Sequence, residues 1–449
     1  MDRRPSERLH VFHSHGMRMF VLSLAYLVLT IIRPQDYMPG LVGVPILPVV
    51  LILAFAQWLG SVGKNLSAPQ FMILPIFLLV MLLSDAANDW LGGALEQLEK
   101  FGPTVIAFFV LATAVSTSRK RVVITFAVFT LCAMVLALHG VDQFNNGVGW
   151  TGMGLSEDRR IQYVGIFNDP NDLGLLFVTT LPMALYLSAR GGFLGRVFWF
   201  AGAALLLYGI YLTNSRGAFL AVMVIAAVYL WRKRGLLTSL ALSGVGMMGL
   251  LLIPTRAQDI SVDEDSAFGR IDAWYEGLHM FLSHPLLGVG AGNFTDYNDL
   301  TAHNSFVLVI AETGLLGYVL WLAFVGYSFL MMLRVLRYQV EVPAQATVPV
   351  EKADDASLGV DWERERNIAL TLLLALCGMF AAAFFLSRSY TVVMYLLIAI
   401  VVGDFVRVRA SVPGMRGFSL VSGGWWWVPV ALGSIAFLGI TVIALMHSA

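Results

Sequence analysis

Apolar runs of roughly 17 to 25 residues, each long enough to cross a ~30 Å hydrocarbon layer as a helix, recur along this chain and leave little between them. They fall near 17–33, 41–59, 70–84, 101–116, 121–139, 172–188, 195–213, 216–231, 235–253, 303–333, 367–387, 389–406 and 425–446. A bilayer interior offers backbone groups no water, so every such run must satisfy its own hydrogen bonds as a helix. The expected fold is an all-α integral membrane protein with about 12–13 transmembrane helices and a long periplasmic loop containing short amphipathic helices. Composition agrees, with 58% hydrophobic and 13% charged residues and a mean hydropathy of +0.76, against about 45–50% apolar in soluble domains.

The charges balance at 29 basic and 29 acidic residues, which gives no reason to expect nucleic acid as a partner. Cys132 and Cys377 both lie inside apolar runs and read as small packing residues rather than disulfide or metal ligands. Arg3, Arg4 and Arg8 precede the first run without a small-residue cleavage site, so a retained first helix is expected. Basic clusters at 119–121, 190 with 196, 232–234, 334 with 337, and 407, 409 and 416 fall in alternate loops, which the positive-inside rule assigns to the cytoplasm. The complementary loops then face outward. Four parts are expected: an N-terminal bundle over 1–171, a core over 172–333 with an outer loop at 254–302, a solvated cytoplasmic linker over 334–366, and C-terminal helices over 367–449. No repeat period or matched pair of interrupted helices of the transporter type stands out.

Against that pattern, Arg159, Arg160, Arg216, Arg270 and Arg388 fall on the outer side, where insertion disfavours basic residues, so something other than topology must retain them. Arg216 and Arg388 sit in tight turns between runs. A guanidinium held at the membrane boundary presents a planar fork of donors to phosphate oxygens, and its bland alternative is snorkelling or pairing with a carboxylate.

The outer loop 254–302 carries eight acidic residues against Arg256 and Arg270. Ile271, Trp274, Leu278 and Phe281 recur at helical spacing and predict an amphipathic helix ended by His284 and Pro285. Its apolar face is expected on the membrane or over a cavity, with Trp274 as an interfacial anchor. Asp263, Glu264 and Asp265 read as solvation rather than a metal site. GlyValGlyAlaGly at 288–292 lacks the βαβ setting of a nucleotide loop and reads as a tight backbone turn. His303 opens an apolar run, with Thr301 or Asn304 able to cap the helix. The positive helix end disfavours imidazolium there, making His303 a candidate general base. Glu312, two turns deeper, is expected to pair with an arginine or orient a polar group. Asn168, Asp169, Asn171 and Asp172 either bind sugar hydroxyls or form an Asx turn with a helix cap.

GlyIlePheAsnAspProAsnAspLeuGly (165–174), SerArgGlyAla (215–218), GlyArg with the following Trp (269–274), HisProLeuLeuGlyValGlyAlaGlyAsnPhe (284–294) and HisAsnSerPhe with AlaGluThrGlyLeuLeuGly (303–317) together resemble the O-antigen ligase and polymerase superfamily, most clearly over 160–333. The resemblance implies a membrane glycosyltransferase of surface polysaccharide biosynthesis, such as lipopolysaccharide or exopolysaccharide, in the bacterial inner membrane. Its donor would be a glycan on a polyprenyl (undecaprenyl) diphosphate, and its acceptor a lipid, polysaccharide or protein hydroxyl on the periplasmic side. It further implies that Arg216 and Arg270 contact the diphosphate and His303 activates the acceptor, without metal or cofactor. Arg160, Arg388, Asn168, Asn171, Asn304 and Glu312 complete the expected substrate-binding set, with membrane lipids as the remaining partner. The ligase and polymerase branches share these motifs, and the ligase is preferred. The competing expectations are a lipid-linked glycan flippase and a noncatalytic assembly partner.

Overall fold

The computed structural model describes residues 5–241, 244, 260–339, 353–412 and 414–448, with backbone alone at 5–15, 260–268, 353–360 and 448. Arg3, Arg4, Arg256, most of the 235–253 run and the middle of the expected linker lie outside the described residues. Among the described residues there are thirteen helices of at least 15 residues. They are α1 (Pro5–Ile32), α2 (Ile46–Gly60), α3 (Gln70–Ala87), α4 (Leu91–Val115), α5 (Arg119–Asn146), α6 (Pro170–Ser188), α7 (Phe193–Thr213), α8 (Arg216–Arg234), α9 (Ile260–Ser283), α10 (Ser305–Arg337), α11 (Ala353–Ala383), α12 (Val392–Ser411) and α13 (Trp427–Ser448). Strand-like pairing among them is limited to isolated bridges at 148–154 and 156–160.

Every expected run except 235–253 coincides with one of these helices. Among the described residues, seven helical stretches are long and apolar enough to cross a membrane by length and composition: Gln70–Ala87, Leu91–Val115, Arg119–Asn146, Phe193–Thr213, Ser305–Arg337, Asp361–Ala383 and Leu420–His447. The helices α6 and α12 fall outside that set, yet both are buried along nearly their whole lengths. Polar and charged residues such as Asp172, Thr179, Asp404 and Arg407 set them apart from a lipid-facing span, and these four are buried against protein. The core of the bundle sits on these two helices, α6 packed against α5, α7 and α11, and α12 against α4 and α10.

Lipid supplies no hydrophobic drive for helices to associate, so close approach over small residues carries the packing. A methyl group at Gly403 would lie 2.6 Å from the Ala112 carbonyl oxygen, and one at Gly209 would lie 2.8 Å from the Phe177 ring. The contacts α12–α4 and α7–α6 therefore depend on bare backbone. At the end remote from the expected outer loops, Arg407 binds both Glu365 and Asp404, and Arg119 donates to Glu365 at 3.3 Å and to Asp361 at 3.1 Å. These ion pairs tie α5, α11 and α12 together.

Three segments differ from expectation. Helix α4 begins at Leu91, well ahead of the expected run at 101–116, and continues through Pro103, whose missing donor a packed membrane helix tolerates. Asp263, Glu264 and Asp265 belong to the helical backbone of α9 rather than to a loop. The last part of the expected linker, from Ala353, is the start of α11; a charged opening with an apolar continuation reads as a linker when only its charges are weighed.

Candidate active site

Three helix starts, those of α6, α8 and α10, meet at one end of the bundle. Asp169 caps α6, its Oδ1 accepting the Asn171 amide at 2.7 Å; Ser215 caps α8, accepting from Ala218 at 3.4 Å; Asn304 caps α10, accepting from Phe306 and Val307 at 2.8 and 3.2 Å. Each cap satisfies an amide that the first helical turn leaves unpaired. The first two starts touch, since a methyl at Gly174 would lie 3.0 Å from Ala218 Cβ and 3.4 Å from Ser215 Cβ.

Arginines stitch this junction. Arg160 Nε donates to the Thr213 carbonyl at 2.8 Å, and its Nη2 donates to Asn171 Oδ1 at 3.0 Å. Arg388 Nε donates to the buried carboxylate of Asp172, and its Nη2 lies 3.9 Å from Asp169. The Arg388 amide donates to Ser305 Oγ at 3.0 Å, fixing the 387–390 turn against the start of α10. Burial disfavours the charge on Arg388, but the bond to Asp172 overrides it and leaves the guanidinium above its ordinary pKa. Arg216 is the exposed first residue of α8. The next residue, Gly217, packs against the end of α11 near Phe385.

His303 is half-buried just before the Asn304 cap, with a left-handed φ of 46°. Histidine is among the few residues that adopt this region, and strain of this kind collects at functional sites. Burial pulls its imidazole below the ordinary pKa; the Arg270 and Arg388 guanidiniums push the same way, and Asp169 opposes them. His303, Arg270 and Arg388 thus share one electrostatic neighbourhood, in which the imidazole is held neutral and able to accept a proton. Arg159 lies apart from it, its guanidinium over the Phe144 ring at 5.3 Å.

Helix α9 brings Arg270 here. It ends at Ser283, immediately before His284 and Pro285, but its buried face is Ala273, Trp274, Gly277 and Met280, rotated from the predicted stripe. Trp274 is 8% exposed and meets Phe384 edge-on at 5.8 Å, so it anchors α9 to protein instead of to the membrane interface. A methyl at Gly277 would lie 2.5 Å from Val307. Bare backbone at that point lets α9 lie directly on α10.

The remaining expected residues have visible structural duties. Asn304 gives its carboxamide oxygen to the α10 cap, and Asn171 belongs to the Asx turn that starts α6. Asn168 is exposed at the end of the short turn Gly165–Phe167. Glu312 is buried within α10, where its carboxylate accepts the Phe294 amide at 3.4 Å and faces Gly292 and Tyr390. It orients the glycine-rich loop rather than pairing with an arginine.

That loop is the second construction at this end. The helical path of α10 breaks at Gly314 (φ 61°, ψ −163°), and the opened backbone pairs with residues 285–290. Val289 donates to Ala311 at 3.0 Å, Gly290 to Glu312 at 3.2 Å, Leu315 to Pro285 at 2.9 Å and Leu316 to Leu286 at 3.2 Å. The motifs HisProLeuLeuGlyValGly and AlaGluThrGlyLeuLeuGly are therefore two sides of one knot. Asp85 accepts the Ala291 amide at 2.7 Å, Asn88 donates to Gly288 at 3.0 Å, and Gln97 donates to Ala291 at 2.6 Å. Sequence reasoning did not single out Ser84, Asp85, Asn88 or Gln97; an aspartate at the end of an apolar run was the available signal.

Among the described residues no group of histidine, cysteine, aspartate or glutamate has metal-holding geometry. Residues 201–322 match the family model described as O-antigen ligase. Arg216, Arg270, His303, Asn304 and Glu312 lie inside the matched segment, while Arg160, Asn168, Asn171 and Arg388 lie outside it. No curated protein matches the chain.

Proposed function

We propose, from the match of residues 201–322 to the O-antigen ligase family model, that this multi-pass membrane protein transfers a glycan from a polyprenyl-diphosphate carrier to an acceptor hydroxyl at the periplasmic face of the bacterial inner membrane. The observation that carries this reading is the half-buried His303, kept neutral beside Arg270 and Arg388 where three helix starts meet. A neutral imidazole next to fixed positive charge suits a reaction in which a hydroxyl loses a proton while a diphosphate departs.

In the proposed step the acceptor oxygen attacks the anomeric carbon as its proton passes to His303. The carbon–oxygen bond to phosphate breaks, and its electron pair leaves with the diphosphate. Arg216, Arg270 and Arg388 neutralise the charge that develops there, helped by the amide-rich helix starts. A single displacement of this kind inverts the anomeric centre. Asp172 and Asp169 hold Arg388 in place, and Arg160 fixes the junction of α6 with the 213–216 turn. The ligase branch is preferred over a polymerase or a flippase.

The test is glycan transfer by purified protein in liposomes from a polyprenyl-diphosphate oligosaccharide to a panel of acceptors. His303→Asn keeps a residue that tolerates the left-handed backbone and should slow transfer by about 10²–10⁴-fold, the usual worth of a general base, with donor binding retained. Unchanged transfer in that variant, or donor crossing the bilayer without a product in either protein, overturns the reading.

A further inference from the structure

Helix α10 runs from the candidate site to the opposite end of the bundle, where Arg334 and Arg337 lie in its last turn. Part of the reason is bland, because cations favour a helix C-terminus. A third guanidinium, however, comes from a separate segment. Arg416 stands in the 414–418 stretch between α12 and α13, and Arg334 Nη1 donates to its carbonyl at 2.9 Å and to that of Gly417 at 3.0 Å. The Arg334 guanidinium also lies 3.6 Å from the centre of the Phe418 ring. Bringing the three arginines together creates like-charge repulsion that topology alone does not require.

Between them is a cavity of about 470 Å³, lined by Leu330, Leu333, Arg334, Arg337, Arg416 and Phe418 among others, and no carboxylate belongs to its lining among the described residues. One wall is apolar, Leu330 being 40% exposed. Just beyond, Trp425 and Trp426 stack at 4.2 Å and are 60% and 61% exposed. Exposed tryptophans next to a spanning helix mark the headgroup level of a bilayer. The cavity therefore combines guanidinium donors, an acyl-compatible wall and headgroup depth.

We propose that this cavity binds the headgroup of an anionic phospholipid, with Arg337 and Arg416 contacting the phosphate, Arg334 setting the geometry of the 414–418 stretch, and Leu330 and Leu333 lying along the first part of an acyl chain. Basic pockets between membrane helices recognise phosphate-bearing headgroups in this way, and arginine presents them with paired donors. This site is separate from the candidate active site and does not depend on the reaction proposed for it.

The experiment is native mass spectrometry of the full chain released from membranes containing phosphatidylglycerol or cardiolipin mixed with phosphatidylcholine, comparing wild type with the Arg337→Ala/Arg416→Ala double variant. Wild type should retain the anionic lipid preferentially. Loss of two guanidiniums near a phosphate should lower that retention by about tenfold to thirtyfold, while circular dichroism and melting stay unchanged. Arg416→Ala alone, in an exposed stretch, should give a partial loss and serves if the double variant folds poorly. Equal retention of both lipid classes by wild type, or undiminished anionic retention in the variants, overturns the proposal. So does protection by millimolar inorganic phosphate equal to that by phosphatidylglycerol, which would assign the cavity to a soluble anion.

Discussion

Gly288→Ala tests the knot between the glycine-rich loop and the break in α10. Gly288 has φ +74°, and an added methyl would lie 2.3 Å from the Glu312 carbonyl carbon and 2.5 Å from both the Glu312 oxygen and the Thr313 nitrogen. The left-handed conformation costs a residue with a Cβ about 1–2 kcal/mol. The neighbours here are backbone, which cannot swing away like a flexible side chain, so overpacking adds about 1–3 kcal/mol. Together these give about 2–5 kcal/mol, spread over a ladder that also holds Val289 and Gly290 to α10. A displaced ladder would move α9 and hence Arg270 relative to His303. Gly439→Ala is the control: a methyl there meets nothing within 4 Å, and in a helix it is neutral or stabilising by up to about 1 kcal/mol. Melting curves in one detergent, with glycan transfer measured in liposomes, should show Gly288→Ala less stable and slower while Gly439→Ala matches wild type. Equal stability and full transfer in both would refute the reasoning that the knot sets the site.

The pH dependence of transfer should carry an acid limb below the ordinary histidine value of 6.5, and Arg270→Gln should move that limb upward by removing a positive neighbour; a limb that stays put would exclude His303 as the titrating base. Stability follows the same sign: because the fold favours neutral His303, its contribution is complete above 6.5 and falls as pH drops from there through the lowered folded value, which His303→Asn should flatten in melts taken across that range. Asp172→Ala leaves Arg388 without its main partner, but Arg388 is 33% exposed, so the cost should be about 1–3 kcal/mol rather than the 3–5 of a fully buried pair, read by melting, with weaker donor binding alongside. Trp274→Ala should destabilise by about 3–5 kcal/mol by undocking α9 from Phe384, whereas an interfacial anchor would lose far less in detergent.

Much of the bundle was legible because hydrocarbon leaves a chain so few options: an apolar run of spanning length must be a helix, and those runs coincide with helices wherever the chain is described. His303, Arg270 and Arg388 were legible as exceptions, a histidine at a helix start and basic residues on the wrong side of the charge pattern. The role of Glu312 was not, because its partners are backbone amides of a loop about twenty residues away in sequence, and amides carry no sequence signature. The break at Gly314 was hidden for the same reason, since LeuLeuGly reads as helix until residues 285–290 compete for its hydrogen bonds. Periodicity identified α9 but misplaced its buried face, because Gly277 is invisible to a hydrophobic pattern although it allows the closest approach to Val307. Asn171 and Asn304 attracted attention as polar residues near the site; the Asn304 side chain caps α10, and that of Asn171 braces the Asp169 cap and accepts from Arg160.

The meeting of three helix starts has a consequence for how the site responds to change. Peptide dipoles do not titrate and no side-chain substitution deletes them, so part of the positive potential at this end is built into the chain path itself. Replacing one arginine should weaken an anionic ligand by steps, leaving residual binding that persists at any pH at which the bundle stays folded. To remove that residue of affinity one would have to unwind a helix, and the fold would go with it.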